Sequence, residues 1–144
     1  MIKVLGVLLI AGLVLSACGT VSVATAMSKW VSQSSYVANN HTILNDARHS
    51  ANALRHPAMT NLDLHTVCAV LYLETEQANS ALPTPDHQTT IILGKAYNNL
   101  GAGANVCYDA AHSTAQRNRA LRYLTLGVAQ LSEGSARIAS VTSN

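Results

Sequence analysis

Residues 119–141 read RALRYLTLGVAQLSEGSARIASV. Apolar side chains recur in this stretch every three or four positions, which is the period of an amphipathic α-helix. Gly127 and Gly134 lie seven residues apart on nearly the same side, where small residues let a second helix approach closely. The stretch predicts a long, packed helix that begins near Ser113 and Thr114. Its apolar stripe consists of Leu121, Leu124, Val128, Leu131, Ile138 and Val141.

Three upstream stretches show the same period. Pro57 ends the first, and Pro83 and Pro85 separate the second from the third, because proline cannot continue a helix. Gly101 and Gly103 weaken the third stretch by roughly 1 kcal/mol each relative to alanine, so we expect a kink there. The three apolar stripes consist of Trp30, Val37, Leu44, Ala47, Ala51 and Leu54; of Leu64, Cys68, Leu71, Thr75, Ala78 and Leu82; and of Leu93, Ala96, Leu100, Ala104, Cys107 and Ala111.

The whole pattern predicts an all-α fold. Ala is the commonest residue, Phe is absent and Trp occurs once, a composition that favours helices because alanine loses no side-chain entropy in them. No strand-like alternation of polar and apolar residues competes with the helical period. Four amphipathic helices joined by short connections predict one domain, an up-down four-helix bundle over residues 29–144.

The first residues have the layout of a secretory signal. Lys3 precedes an apolar run from Val4 to Val14, and small residues suited to cleavage follow. The run is shorter than the roughly 20 residues that a membrane-spanning helix needs. We therefore expect residues 1–17 to be a signal peptide that is removed from the mature protein.

Leu15-Ser16-Ala17-Cys18 closes the apolar run, and this tetrapeptide resembles the lipobox of bacterial lipoprotein precursors. The resemblance implies that Cys18 is alkylated with a diacylglyceryl group and becomes the new N-terminus. Two acyl chains anchor stably, because each buried methylene contributes about 0.8 kcal/mol. The implied location is the extracytoplasmic side of the cell membrane, in the cell envelope. Residues 18–28 would form a lipidated N-terminus and flexible tether; an ordinary signal peptide followed by a cysteine is the alternative.

Cys68 and Cys107 remain once Cys18 carries lipid. In an oxidising compartment such a pair usually bonds, so we expect an inter-helix disulfide rather than two buried thiols. Closing a loop of about 40 residues stabilises a fold by roughly 3 to 4 kcal/mol. A simple hairpin turning at residues 83–85 would leave Cys107 about 10 Å too far along its helix. An extended Pro-Thr-Pro crossing, or a bend at residues 101–103, would supply the offset.

The charge balance gives no sign of a nucleic-acid partner. The formal net charge is +2 and falls to +1 when Lys3 leaves with the signal peptide. Arg117, Arg119 and Arg122 are the one dense basic cluster, and at helical spacing we interpret them as a solvated face.

The sequence also shows no catalytic or metal-binding motif. His49 and His56 share a helix face at seven-residue spacing, whereas a helix that presents ligands to one ion uses spacings of three or four. Glu74 and Glu76 are two residues apart and face different directions. No serine lies in a Gly-x-Ser-x-Gly elbow, and no glycine-rich loop follows a strand. We therefore expect no enzyme activity, no cofactor and no metal.

A second resemblance covers most of the mature chain. Leu82-Pro83-Thr84-Pro85-Asp86 is followed by Ala96-Tyr97, by Cys107-Tyr108 and by a last helix rich in Ala, Arg and Leu. This arrangement is similar to small uncharacterised helical lipoproteins of actinobacteria. The family brings no activity and no functional residues to carry over.

Together these features predict a lipid-anchored envelope protein that acts as a binding or scaffolding module. It would be held to the membrane through Cys18, with another envelope protein as partner. One alternative is a carrier or sensor of a small apolar ligand held between the helices, and another is a phage or prophage surface-exclusion lipoprotein. Room inside the bundle would favour the carrier, whereas a filled core with an exposed apolar stripe would favour the protein partner.

Overall fold

The computed structural model describes residues 21–56, 61–110 and 113–143. Within these residues the chain forms helices and no strand, so the predicted all-α class is confirmed. The described helices number five, and the predicted count of four is wrong because the first predicted helix is two helices. They are α1 (Val23–Gln33), α2 (Tyr36–Arg55), α3 (Asn61–Ser80), α4 (His87–Tyr108) and α5 (Thr114–Thr142).

α1 occupies part of the segment that the sequence predicted as tether. Ser22 caps the helix, because its Oγ accepts a hydrogen bond from the Thr25 amide at 3.1 Å. The Met27 side chain is fully buried in the core. The tether prediction is therefore wrong for residues 23–28, while residues 18–20 lie outside the described part of the chain.

The break between α1 and α2 shifts the helical phase. Ser35 adopts a left-handed conformation with φ of 53°, which ends one helix and starts the next at Tyr36. A stripe counted continuously from Trp30 therefore misplaces Val37, whereas its members Ala47 and Leu54 are buried as predicted. Val37 is 69% exposed, and the buried positions are Tyr36 and Ile43 instead.

Helices α2 to α5 run alternately in opposite directions. At one end of the bundle the Tyr36 hydroxyl is 2.8 Å from Ser135 Oγ, and at the other Arg117 donates to the Leu54 carbonyl at 3.0 Å. The first contact joins the start of α2 to the end of α5, and the second joins the end of α2 to the start of α5. The two helices are therefore antiparallel. α4 packs closely on both α3 and α5, whereas α2 packs on α3 and more loosely on α5.

The glycines of α5 let α4 approach closely, as the sequence predicts. A Cβ atom built on Gly127 would lie 2.6 Å from Leu100 Cγ, and one on Gly134 would lie 2.5 Å from Leu93 Cδ2. Gly103 makes an equally close contact to α5, and α4 is not interrupted there. Gly103 therefore serves close packing against α5, and α4 continues as one helix through the residues where a kink was predicted.

An extended crossing brings the two cysteines level. After α3 ends at Ser80, Leu82 lies beside Gly94, because a Cβ built on Gly94 would be 3.7 Å from Leu82 Cδ1. The first two turns of α4 therefore extend beyond the end of α3. Cys68 precedes Leu82 by about as many residues as separate Gly94 from Cys107. Of the two offsets that the sequence allowed, the Pro-Thr-Pro crossing is the one that the structure uses.

Candidate binding surface

α3 carries apolar side chains on both of its sides. Its inner side packs Leu64 and Leu71 into the core, where both are buried. Its outer side carries Leu62 and Leu73, which are 74% and 66% exposed. The outer side of α3 therefore mixes exposed leucines with exposed polar side chains such as Thr66 and Glu76.

The outer apolar side chains of α3 continue onto α4. Leu62 and Leu73 are 11 residues apart, three helical turns, and so lie on the same side of α3. Tyr72, Leu73 and Tyr108 line one groove, and exposed apolar side chains grouped in this way mark an interaction site more often than single ones do. We call this patch the α3–α4 apolar face. It consists of Leu62, Val70, Tyr72, Leu73 and Tyr108.

A groove runs between α3 and α4 within this face. Its volume is about 280 Å³, and the disulfide partner Cys68 lies at its floor. Small side chains from both helices leave the gap, while Asn105 supplies an amide at its edge. The groove is lined by Ala69, Tyr72 and Leu73 of α3 and by Ala104, Asn105 and Tyr108 of α4.

The sequence-predicted cysteine pair holds the groove together. Cys68 and Cys107 are disulfide-bonded, with their Cα atoms 5.8 Å apart, and both are fully buried. The bond fixes α3 against α4 beneath the groove. Cys18, the predicted lipidation residue, lies outside the described residues.

A stacked pair of rings closes one end of the groove. The rings of His65 and Tyr108 lie 4.3 Å apart between centroids with an interplanar angle of 16°. This contact orients an exposed aromatic side chain on the α3–α4 apolar face. The sequence analysis did not single out His65, because the stack depends on the antiparallel register of α3 and α4.

The histidines of α2 and its C-terminal end make local contacts. His49 Nδ1 is 3.6 Å from an Asp46 carboxylate oxygen, and His56 Nδ1 is 2.8 Å from the Asn52 carbonyl oxygen. His41 is exposed, and its ring contacts the side-chain amide of Asn45, one helical turn further along α2. Across the described ranges no three histidine, cysteine, aspartate or glutamate side chains are grouped so as to hold a metal ion.

Glu74 meets Asp46 across the seam between α2 and α3. Burial, together with the hydrogen bond and the charge of the neighbouring Asp46 carboxylate, raises the pKa of the Glu74 carboxyl group to about 7. Glu76, two residues on, is exposed instead, as the predicted difference in direction requires. Asp46 and Glu74 are 28 positions apart in the sequence, so no local sequence motif predicts their contact.

Comparisons of the chain with known protein families, with curated proteins and with solved structures found no match. Among the described residues, no helix combines the length and the apolar character needed to cross a bilayer.

Proposed function

We propose that this protein is a lipid-anchored, non-catalytic binding module of the cell envelope, and that its α3–α4 apolar face docks another envelope protein. The observation that carries the docking part is the group of exposed apolar side chains, Tyr72, Leu73 and Tyr108, around one groove over a disulfide-clamped pair of helices. The anchor part is supported by the resemblance of Leu15-Ser16-Ala17-Cys18 to a lipobox.

The packing of the interior favours a protein partner over an enclosed apolar ligand. Glycine contacts bring α4 and α5 so close that a single added methyl group would collide with Leu100 or Leu93. A carrier would need space between these helices. The interior is instead filled by fully buried large side chains: Met27, Ile43, Leu64, Leu71, Leu93, Leu100, Leu124 and Leu131.

The α3–α4 apolar face has the composition of a docking site. Covering a leucine such as Leu73 contributes about 1.5 to 3 kcal/mol, and tyrosines such as Tyr72 and Tyr108 are frequent energetic centres of interfaces. Exposed acids flank the face, with Glu76 one turn beyond Leu73 and Asp109 next to Tyr108. The partner that fits is an apolar helix ridge bordered by basic side chains.

Site-specific photo-crosslinking in cells tests the docking part. A photoreactive phenylalanine analogue replaces Leu73, and the same analogue at exposed Ala136 of α5 is the control. We expect one heterologous product from position 73 and none from position 136, and we expect Leu62→Asp to remove it. Equal products at both positions, or a product with the mass of two copies of this chain, would contradict the proposal.

Labelled palmitate tests the anchor separately. The wild-type protein should incorporate the label and sediment with membranes, whereas Cys18→Ala should do neither. A wild-type protein that remains unlabelled would refute the anchor while leaving the docking experiment interpretable, because the crosslink reports on α3 and not on the N-terminus.

A further inference from the structure

The seam between α2 and α5 is open in its middle. The helices are joined at their ends by the contacts of Tyr36 with Ser135 and of Arg117 with the Leu54 carbonyl. Between these ends α2 contributes the small side chains of residues 47 and 51. Because methyl groups do not fill the space between two helices, a groove of about 390 Å³ remains, which we call the α2–α5 groove.

The floor of the α2–α5 groove is apolar and its rim is cationic. Leu124 and Val128 of α5 line the floor with Ala47. On the α2 side the rim carries Arg48 and Arg55, with the amide of Asn52 between them. No acidic side chain lines the groove.

The two arginines keep their donors available for a ligand. They lie seven residues apart, so their Cα atoms are about 10 Å apart on one side of α2. Arg48 contacts only the Asn45 amide oxygen, at 3.4 Å, and neither guanidinium pairs with a carboxylate of the described residues. The largest group of acids lies on another helix, since α3 has three carboxylates and no lysine or arginine, whereas α2 has only Asp46 and α5 only Glu133.

We propose that the α2–α5 groove binds a single-chain amphiphile with an anionic head group, a carboxylate or a phosphate. The guanidinium groups of Arg48 and Arg55 would donate to the head-group oxygens, and the Asn52 amide would add a further donor. The floor at Leu124 and Val128 would cover the first part of the alkyl chain. The groove volume lies within the ~300–1,000 Å³ usual for small-molecule sites.

Two simpler ligands use only half of this groove. A free inorganic anion would leave the apolar floor uncovered, and an uncharged alkane would leave two cations beside it without a counter-ion. The site is independent of the α3–α4 apolar face, since the two share no lining residue. Its test therefore does not depend on the proposed docking function.

Calorimetric titration of the full chain carrying Cys18→Ala, with monomeric dodecanoate and dodecyl phosphate, tests the proposal. We expect both to bind, and dodecanol and inorganic phosphate to bind at least about tenfold more weakly. Arg55→Gln should weaken binding of dodecanoate about tenfold. Arg119→Gln is the matched control, because this exposed arginine lies over Tyr123 on α5, outside the groove, and should leave binding unchanged.

Ala51→Leu provides a second variant that does not alter charge. It should fill the groove and weaken dodecanoate binding, and circular dichroism would show that the bundle remains folded. The proposal is overturned if dodecanol binds as tightly as dodecanoate, if inorganic phosphate alone does so, or if Arg119→Gln matches Arg55→Gln. Binding to phosphatidylglycerol vesicles without binding of either monomer would likewise overturn it, in favour of a membrane-contact surface.

Discussion

Replacing Gly127 by alanine should destabilise the protein, although alanine is the better helix former. A Cβ atom at this position would lie 2.6 Å from Leu100 Cγ and 3.0 Å from the Leu100 backbone nitrogen. The side chain of Leu100 could rotate, but its backbone belongs to α4 and moves only with the whole helix. The added methyl group therefore forces α4 and α5 apart.

The magnitude follows from two opposing contributions. Gly→Ala inside a helix stabilises it by about 1 kcal/mol. Overpacking a tight core costs about 1 to 3 kcal/mol, and the backbone contact at Leu100 places Gly127→Ala near the upper value. We expect a net loss of about 2 kcal/mol in the free energy of unfolding.

Gly94→Ala is the matched control, because Gly94 also lies inside a helix, α4, but has space beside it. Its Cβ would meet Leu82 Cδ1 at 3.7 Å, an ordinary contact, so this variant should gain about 0.5 to 1 kcal/mol. Urea denaturation followed by circular dichroism measures the free energy of unfolding of both variants. The gain in helix propensity is common to the two variants. The difference between their free energies of unfolding therefore isolates the cost of the close contact between α4 and α5. A Gly127→Ala protein as stable as Gly94→Ala would refute the reasoning.

Two further predictions concern the Glu74 carboxyl group and the disulfide. Glu74→Gln should stabilise the protein by about 1 kcal/mol at pH 8 and leave its stability unchanged near pH 4. The reason is that the folded protein favours the protonated form of the Glu74 carboxyl group. The stability of the wild-type protein therefore falls as the pH rises from about 4.5 to about 7. Urea denaturation across this range checks it, and a flat difference between the two proteins would contradict it. Replacing Cys68 and Cys107 by serine should lower the free energy of unfolding by about 4 kcal/mol, given their separation of 39 residues, and a loss below about 1 kcal/mol would contradict this.

The sequence predicted best the parts of the fold that lie within uninterrupted helices. The stripe of α3, from Leu64 to Ala78, is buried as predicted, and so is that of α4, from Leu93 to Cys107. A period of 3.6 residues carries the register reliably as long as no residue interrupts it. Ala111, the last predicted position of the α4 stripe, lies outside the described residues.

The break before α2 could not be located in the same way. Serines at positions 32, 34 and 35 surround the break, but serine by itself does not specify a left-handed residue. Once Ser35 adopts that conformation, the buried face begins at Tyr36 and passes through Ile43. The error in this stripe is therefore confined to its first position on α2, Val37, because Ala47 and Leu54 are buried as predicted.

The candidate surfaces were accessible to sequence reasoning to different degrees. The 11-residue spacing of Leu62 and Leu73 was present in the sequence. The inner stripe of α3 was by itself enough to predict the helix, so these two leucines did not indicate a second apolar side. The α2–α5 groove was not accessible, because Ala51 reads as core and Arg55 as solvated surface. Only the loose packing of α2 on α5 turns these neighbours into an apolar floor beneath a cationic rim.

The distribution of charge links the two surfaces. α3 carries carboxylates without a lysine or arginine, whereas α2 and α5 hold most of the arginines, so the bundle is acidic on one side and basic on the other. An apolar partner bordered by basic side chains would be attracted to the α3–α4 apolar face and repelled from the α2–α5 groove, and an anionic amphiphile would experience the opposite. Because the two surfaces share no residue, both could be occupied on one molecule, with the disulfide keeping α3 and α4 fixed while the looser α2–α5 seam adjusts to its ligand.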